Sequence, residues 1–180
     1  MTAALLIIDI QNDYFPGGAN ALVGPEEAAK QAAKLIAAFR TKGQPVIHMQ
    51  HLSVRPGATF FVPGTKGAEI HESVKPLAGE TVLQKNFPNC FRETRLLEHL
   101  RGAKITNLTI AGMMTHMCVD TTTRAATDLG FACSLAHDAT ATKALAFNGV
   151  QVPAEQVQAS YLAGLNGLFA KVQPTAELLA

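Results

Sequence analysis

The chain has 180 residues, 48% of them hydrophobic and 16% charged, with a formal net charge of +1. That length carries one domain with a full-sized core, read here as a single unit over residues 1–180. The near-neutral balance and the lack of a basic run exclude a nucleic-acid binder held by phosphate contacts. No apolar run reaches the ~20 residues that span a bilayer, so no membrane partner is expected. Met1-Thr2-Ala3-Ala4 leads directly into apolar chain, without the basic-then-apolar pattern of a secretory signal. Cys90, Cys118 and Cys133 are widely spaced and odd in number, which points to reduced thiols and a cytoplasmic setting.

The first apolar run predicts a strand over 4–9, ending in Asp9 with Gln11 two residues on. A carboxylate at the C-terminal edge of a parallel strand faces the crevice where open α/β sheets bind ligands. Pro25 opens an amphipathic helix that buries Ala32, Leu35, Ile36 and Phe39 and stops near Gly43. A second strand is expected over 45–50. The stretch 52–80 then loses all periodicity and is rich in Gly and Pro. A loop this long in a compact domain is usually functional or meets a partner. Its Phe60-Phe61 pair is unfavourable in water and could pin the loop to the core, enter a subunit interface or close over a ligand.

A third strand over 81–85 ends in Lys85, just before a proline-containing turn. A helix with Leu96, Leu97 and Leu100 inward ends at Gly102. The fourth strand, 105–111, runs into Gly112-Met113-Met114-Thr115-His116-Met117-Cys118. A helix follows with Val119, Thr123, Ala126 and Leu129 on one face, stopping at Gly130. Cys118 thus falls in the first helical turn. Free N–H groups and the helix dipole there lower a thiol pKa and can hold an oxyanion. Strands over 131–136 and 169–172 flank a last helix, from Pro153, with Val157, Tyr161, Leu165 and Leu168 inward. Strand and helix alternate throughout. The expected fold is α/β: three α/β/α layers around a mostly parallel, Rossmann-like sheet of about six strands.

Carboxylate, ammonium and thiol therefore share one end of three strands. Each has a plainer alternative: Asp9 capping a loop, Lys85 solvated at the surface, Cys118 packing as a small hydrophobe. Cys90, in a loop after Lys85, packs in that loop or lines the same pocket; Cys133 reads as core.

These motifs together, Asp9-Ile10-Gln11-Asn12-Asp13-Tyr14-Phe15, Lys85 followed by Cys90-Phe91, and Gly112 through Cys118-Val119, resemble those of the isochorismatase-like cysteine hydrolases. Nicotinamidases and N-carbamoylsarcosine amidases belong to that superfamily. The resemblance implies that Asp9, Lys85 and Cys118 form a catalytic triad. It implies an oxyanion hole from the backbone of Met114 and Cys118, and a cis peptide between Met113 and Met114. Candidate substrate contacts are Gln11, Phe15, His51, Phe60, Phe61, Phe91 and His116.

Nicotinamidases of the family bind a divalent metal through an Asp-x-His pattern near the second strand. Here that pattern reads His51-Leu52-Ser53, and His48 and His51 cannot both face one ion on a strand whose side chains alternate. No metal or other cofactor is expected. The implied function is cysteine-dependent hydrolysis of a small-molecule amide, lactam or related C–N bond through a thioester. The alternatives are vinyl-ether hydrolysis of the isochorismatase type, which needs an acid rather than a nucleophile, or a non-catalytic binding protein. A homodimer or homotetramer is the expected assembly, with the 52–80 loop in its contacts.

Overall fold

The computed structural model describes residues 2–180. Strands β1 (Thr2–Ile8), β2 (Val46–His51), β3 (Thr81–Lys85), β4 (Ile105–Met113), β5 (Ala132–Ala141) and β8 (Lys171–Gln173) form one sheet, in the order β3-β2-β1-β4-β5-β8. Every pairing in it is parallel. Between β5 and β8 a separate antiparallel hairpin joins β6 (Leu145–Phe147) to β7 (Val150–Val152). The helices are α1 (Pro25–Thr41), α2 (Leu96–Gly102), α3 (Asp120–Asp128), α4 (Ala154–Leu165) and α5 (Thr175–Leu179).

A parallel sheet covered on both faces needs strands that are apolar on both sides. Strand β1 meets this requirement. Leu5 and Ile7 join the α1 residues Ala32, Leu35 and Ile36 in one core cluster. Ala4, Leu6 and Ile8 point the other way, into a cluster with Leu96 and Leu100 of α2 and Ala126 of α3. The chain leaves β1 toward β2 and β3, then returns to place β4 on the other side of β1. The sheet reverses direction there, and a crevice opens beyond the ends of β1 and β4. Gly112 allows the close approach of those two strands: at φ 141°, a Cβ would lie 2.1 Å from Ile8 O.

Several expectations need correction. Between β4 and α3, Thr115–Val119 forms a π-helical turn in place of the α-helical first turn expected around Cys118. Such wide turns recur at functional sites. Strand β5 continues five residues past the expected end, from Ala136 to Ala141, with a register shift opposite Ile110 and Gly112. Helix α4 ends at Leu165, leaving Leu168 78% exposed beyond it. The β6–β7 hairpin was not expected, although its Asn148-Gly149 turn, with φ of 48° and 81°, is the usual two-residue hairpin signal.

In the 52–80 loop, Phe61 pins the chain to the core, one of the three roles expected for the Phe60-Phe61 pair. Phe61 is fully buried against Tyr14, with ring centroids 4.6 Å apart. Its φ is 54°, and its N–H donates to Asp13 Oδ2 at 2.6 Å. Phe60 and Ile70 pack partly buried on the same core. Of these side chains, Phe61 alone is fully buried within this chain. No described helix is long and apolar enough to cross a membrane.

Candidate active site

Three chain segments meet at the crevice. Asp9 follows the last residue of β1, and its backbone turns left-handed there, at φ 52°. That conformation is costly for a residue with a Cβ and recurs where a side chain must be aimed. The Asp9 N–H stays tied to the sheet through Met49 O at 3.1 Å. Lys85 ends β3 and is the register partner of His51 at the end of β2. Cys118 comes from the π-helical turn beyond β4.

The Lys85 ammonium stands at the centre of the group. Its Nζ lies 2.7 Å from Asp9 Oδ2 in an ion pair buried on both sides. It donates to His51 Nδ1 at 2.8 Å, to Phe87 O at 3.1 Å and to Cys118 Sγ at 3.3 Å. Burial works against its charge, but the Asp9 carboxylate and then Cys118 hold its pKa above the ordinary ammonium value. An ammonium only donates, so His51 Nδ1 is the acceptor and the ring proton is assigned to Nε2. Burial, reinforced by the Lys85 charge and opposed by Asp9, pushes the His51 pKa down to about 4. His51 is therefore a neutral imidazole at neutral pH.

The thiol differs from expectation. Burial is the largest influence on Cys118, and the Asp9 carboxylate adds to it; the Lys85 cation offsets only part. The pKa is raised well above the usual thiol value. Helix-terminus and cation effects alone predict the opposite direction, because that argument leaves out desolvation. The resting site thus holds a neutral thiol beside an ion pair. Neither Asp9 oxygen accepts a well-aligned hydrogen bond, which leaves the carboxylate open to a proton from a neighbour.

The ligand atoms of Asp9, His51 and Cys118 lie within 4.8 Å of one another, a spacing that could hold a metal ion. Lys85 Nζ contacts all three residues, so a cation already belongs to the chain at that point. A divalent ion would have to displace the ammonium or stand beside it against like charge.

Beside Cys118 a cavity of about 390 Å³ is lined by Tyr14, His51, Ser53, Arg55, Phe60, Asn86, Met114 and Met117, with Pro56–Thr59 and Pro88 completing the wall. Of the candidate substrate contacts, His51 and Phe60 stand on this wall. Phe61 does not; it backs Tyr14 from the core.

Gln11 is fully buried and spends its amide on the backbone. Nε2 donates to His51 O and Ala68 O, and Oε1 accepts from His51 N at 2.7 Å. It fixes the end of β2 and does not line the cavity. Phe15 stacks on His71 at 3.6 Å, away from the cavity. Phe91 stacks with Phe131 on the core cluster behind Cys118 and does not line the cavity. His116 Nδ1 pairs with Thr142 Oγ1 at 2.6 Å, and its ring packs edge-on to Tyr161. Cys90 is fully buried, with its thiol pKa pushed up to about 12 by burial, and does not line the cavity. His48 lies across the sheet from the site, 3.2 Å from Glu80 Oε2. Cys133 is core, as expected.

Sequence reasoning passed over Tyr14, Ser53, Arg55, Asn86 and Met117, and also the role of Asp13. The Asp13 carboxylate accepts from Ala19 N and Phe61 N and so ties the 52–80 loop to the crevice. Gly67 lies against it so closely that a Cβ would stand 2.1 Å from Asp13 Oδ1. The peptide bond Met113–Met114 is cis.

Relatives carry the same architecture. The sequence matches the Isochorismatase domain over residues 3–177. It is 49% identical over 179 residues to the uncharacterized isochorismatase family protein YddQ of Bacillus subtilis (strain 168), covering 99% of each chain. It is 37% identical over 139 residues to a streptothricin hydrolase of Streptomyces noursei, covering 77% of this chain and 49% of that protein. A protein of Oleispira antarctica, solved as an isochorismatase-type hydrolase, superposes with a TM-score of 0.96 at 51% identity, covering 99% of this chain and 96% of that one. With the domain matched from β1 to α5, the chain belongs to the isochorismatase family of hydrolases.

Proposed function

We propose that this protein hydrolyses a small-molecule amide or related C–N bond, with Cys118 as nucleophile, Asp9 as proton carrier and Lys85 as the fixed cation that orders them. The observation that carries the reading is Lys85 Nζ within 2.7 Å of Asp9 Oδ2 and 3.3 Å of Cys118 Sγ, at the wall of a cavity that admits a ligand. A binding protein has no use for a thiol, a carboxylate and an ammonium arranged in this way.

The chemistry follows from the resting charges. A neutral thiol is a poor nucleophile, so its proton must leave as the substrate arrives. Asp9 takes that proton. The sulfur then attacks the carbonyl carbon, and the N–H groups of Met114 and Cys118 donate to the developing oxyanion. As the tetrahedral species collapses, the C–N bond breaks and Asp9 returns the proton to the leaving nitrogen. A thioester remains on Cys118. Water loses a proton to Asp9 and attacks the thioester carbon, and the thiolate leaves and recovers that proton. The products are a carboxylic acid and ammonia or an amine. Lys85 keeps its proton throughout and balances whichever neighbour is negative.

Relatives support amide chemistry in particular. The chain is 29% identical to nicotinamidase 3 of Arabidopsis thaliana and 33% identical to a maleamate amidohydrolase of Pseudomonas putida, over 78% and 64% of its length. A homodimer or homotetramer belongs to the proposal on family resemblance alone, since Phe61 is spent on this chain's own core. The test is a panel of primary amides, lactams and ureido compounds assayed for acid and ammonia release, with Cys118→Ala as control. Release by the natural protein and none by the variant supports the reading; equal release by both sinks it.

A further inference from the structure

Among the described residues, only one side chain on the cavity wall carries a charge that nothing answers. No aspartate or glutamate lines the cavity, and His51 is neutral at neutral pH. Arg55 is on the wall and makes no ion pair or side-chain hydrogen bond among the described residues. It shares that wall with His51 and Cys118.

Its segment is also held. Ala58 N donates to Arg55 O at 3.1 Å, closing a turn with Pro56 at its second position and Gly57, at φ 77°, at its third. Ser53 N donates to Phe61 O at 2.9 Å, and Asp13 anchors Phe61 beyond it. The remaining wall is mostly apolar: Phe60, Pro56, Pro88, Met114 and Met117. Arg55 itself is exposed, so its charge stands at the solvent side of the cavity, where an anion seated against the apolar wall meets it partly out of water. A guanidinium also presents two parallel N–H groups that match a carboxylate.

We propose that Arg55 is the substrate-recognition residue for a carboxylate, and that the substrate is a small amide bearing a carboxylate at the end away from the scissile carbonyl. This rests on the amide-hydrolase reading for the reaction, but the anion site can be tested without turnover. The same positive wall repels amides with an ammonium tail.

The experiment compares three amides of matched length, ending in a carboxylate (succinamic acid), a methyl group (butanamide) and an ammonium (3-aminopropanamide). In the natural protein, kcat/KM for the carboxylate amide should exceed that for the neutral amide by about tenfold or more, with the ammonium amide last. Arg55→Gln should collapse that ratio mainly through KM, Arg55→Lys should restore part of it, and Arg55→Glu should reverse the order. Lys104→Gln, a distant surface change, should leave the ratio alone.

A second measurement uses alkylation of Cys118 by iodoacetamide. Succinate should protect the thiol, succinamide should protect it less, and Arg55→Gln should abolish the difference. Protection by succinate that depends on Arg55, with no amide hydrolysed, keeps the anion site and removes the amidase reading. Hydrolysis with no charge preference does the reverse. A carboxylate preference that survives in Arg55→Gln, or no protection by succinate, overturns the assignment of Arg55.

Discussion

His51 Nδ1 accepts a hydrogen bond from Lys85 Nζ at 2.8 Å, between residues that are register partners on adjacent parallel strands. Pairing in the sheet therefore sets the position of the central cation. Gln11 clasps the backbone of His51 and so fixes the acceptor. The contact requires a neutral ring, and burial with the Lys85 charge keeps it neutral by holding the pKa to about 4.

A pH dependence follows. The His51 pKa is depressed below its ordinary value of 6.5, so between pH 6.5 and about 4 the unfolded chain binds a proton that the folded chain refuses. Stability from this group is complete above 6.5 and declines as the pH falls toward 4. His48 and His116, also lowered by burial, add to the same slope. Denaturant unfolding measured across this window should show falling stability, with a shallower slope in His51→Gln.

Cys118→Ala should remove turnover while leaving the fold in place. The change deletes one buried sulfur at a cavity wall and should cost on the order of 1 kcal/mol. Thermal unfolding and product release on the same preparation check both halves.

Asp9 and Lys85 should move the thiol in opposite directions. The Asp9 carboxylate raises the Cys118 pKa and the Lys85 cation lowers it. Asp9→Asn should therefore shift the alkylation profile of Cys118 to lower pH while abolishing turnover, because the proton carrier is lost. Lys85→Met should shift the profile to higher pH. Iodoacetamide rates against pH in the folded variants decide this, and parallel shifts would show that the two groups do not act through charge.

Much of this was legible from strand ends. Apolar runs that stop at Asp9, Lys85 and the Gly112 turn place three polar groups on one edge, because parallel strands all end on the same side. The pairing of His51 with Lys85 was not legible, since strand order and register are tertiary. The backbone bonds of Gln11 were not legible for a related reason: a polar side chain beside a crevice looks the same whether it serves a ligand or an adjacent backbone. Phe15, Phe61 and Phe91 show the same ambiguity for aromatic side chains. The thiol shift was misjudged because a dipole can be read from sequence position, whereas desolvation depends on what packs around the sulfur. The β6–β7 hairpin carries a local signal in its Asn148-Gly149 turn, but its strands are only three residues each, too short to show an alternating pattern.

Phe60 and Phe61 should separate cleanly. Phe61→Ala empties a fully buried site against Tyr14 and should cost about 3–5 kcal/mol. Phe60→Ala removes part of the cavity wall and should raise KM with a smaller loss of stability. Melting temperatures and steady-state kinetics of the two variants test this.

Turnover should survive exhaustive chelation unchanged. The gap among Asp9, His51 and Cys118 that could take a cation already holds the Lys85 charge. Activity lost to chelation and restored by zinc or iron would show that a metal does share the site.

The thioester tests the central claim most directly. The protein is mixed with an amide that it hydrolyses, quenched in acid within the turnover time and digested, and the peptides are read by mass spectrometry. The account predicts an acyl adduct on the peptide containing Cys118, absent after hydroxylamine treatment and absent from Cys90 and Cys133. Steady acid release with Cys118 unmodified at every quench time would contradict it and return the site to acid catalysis without a nucleophile.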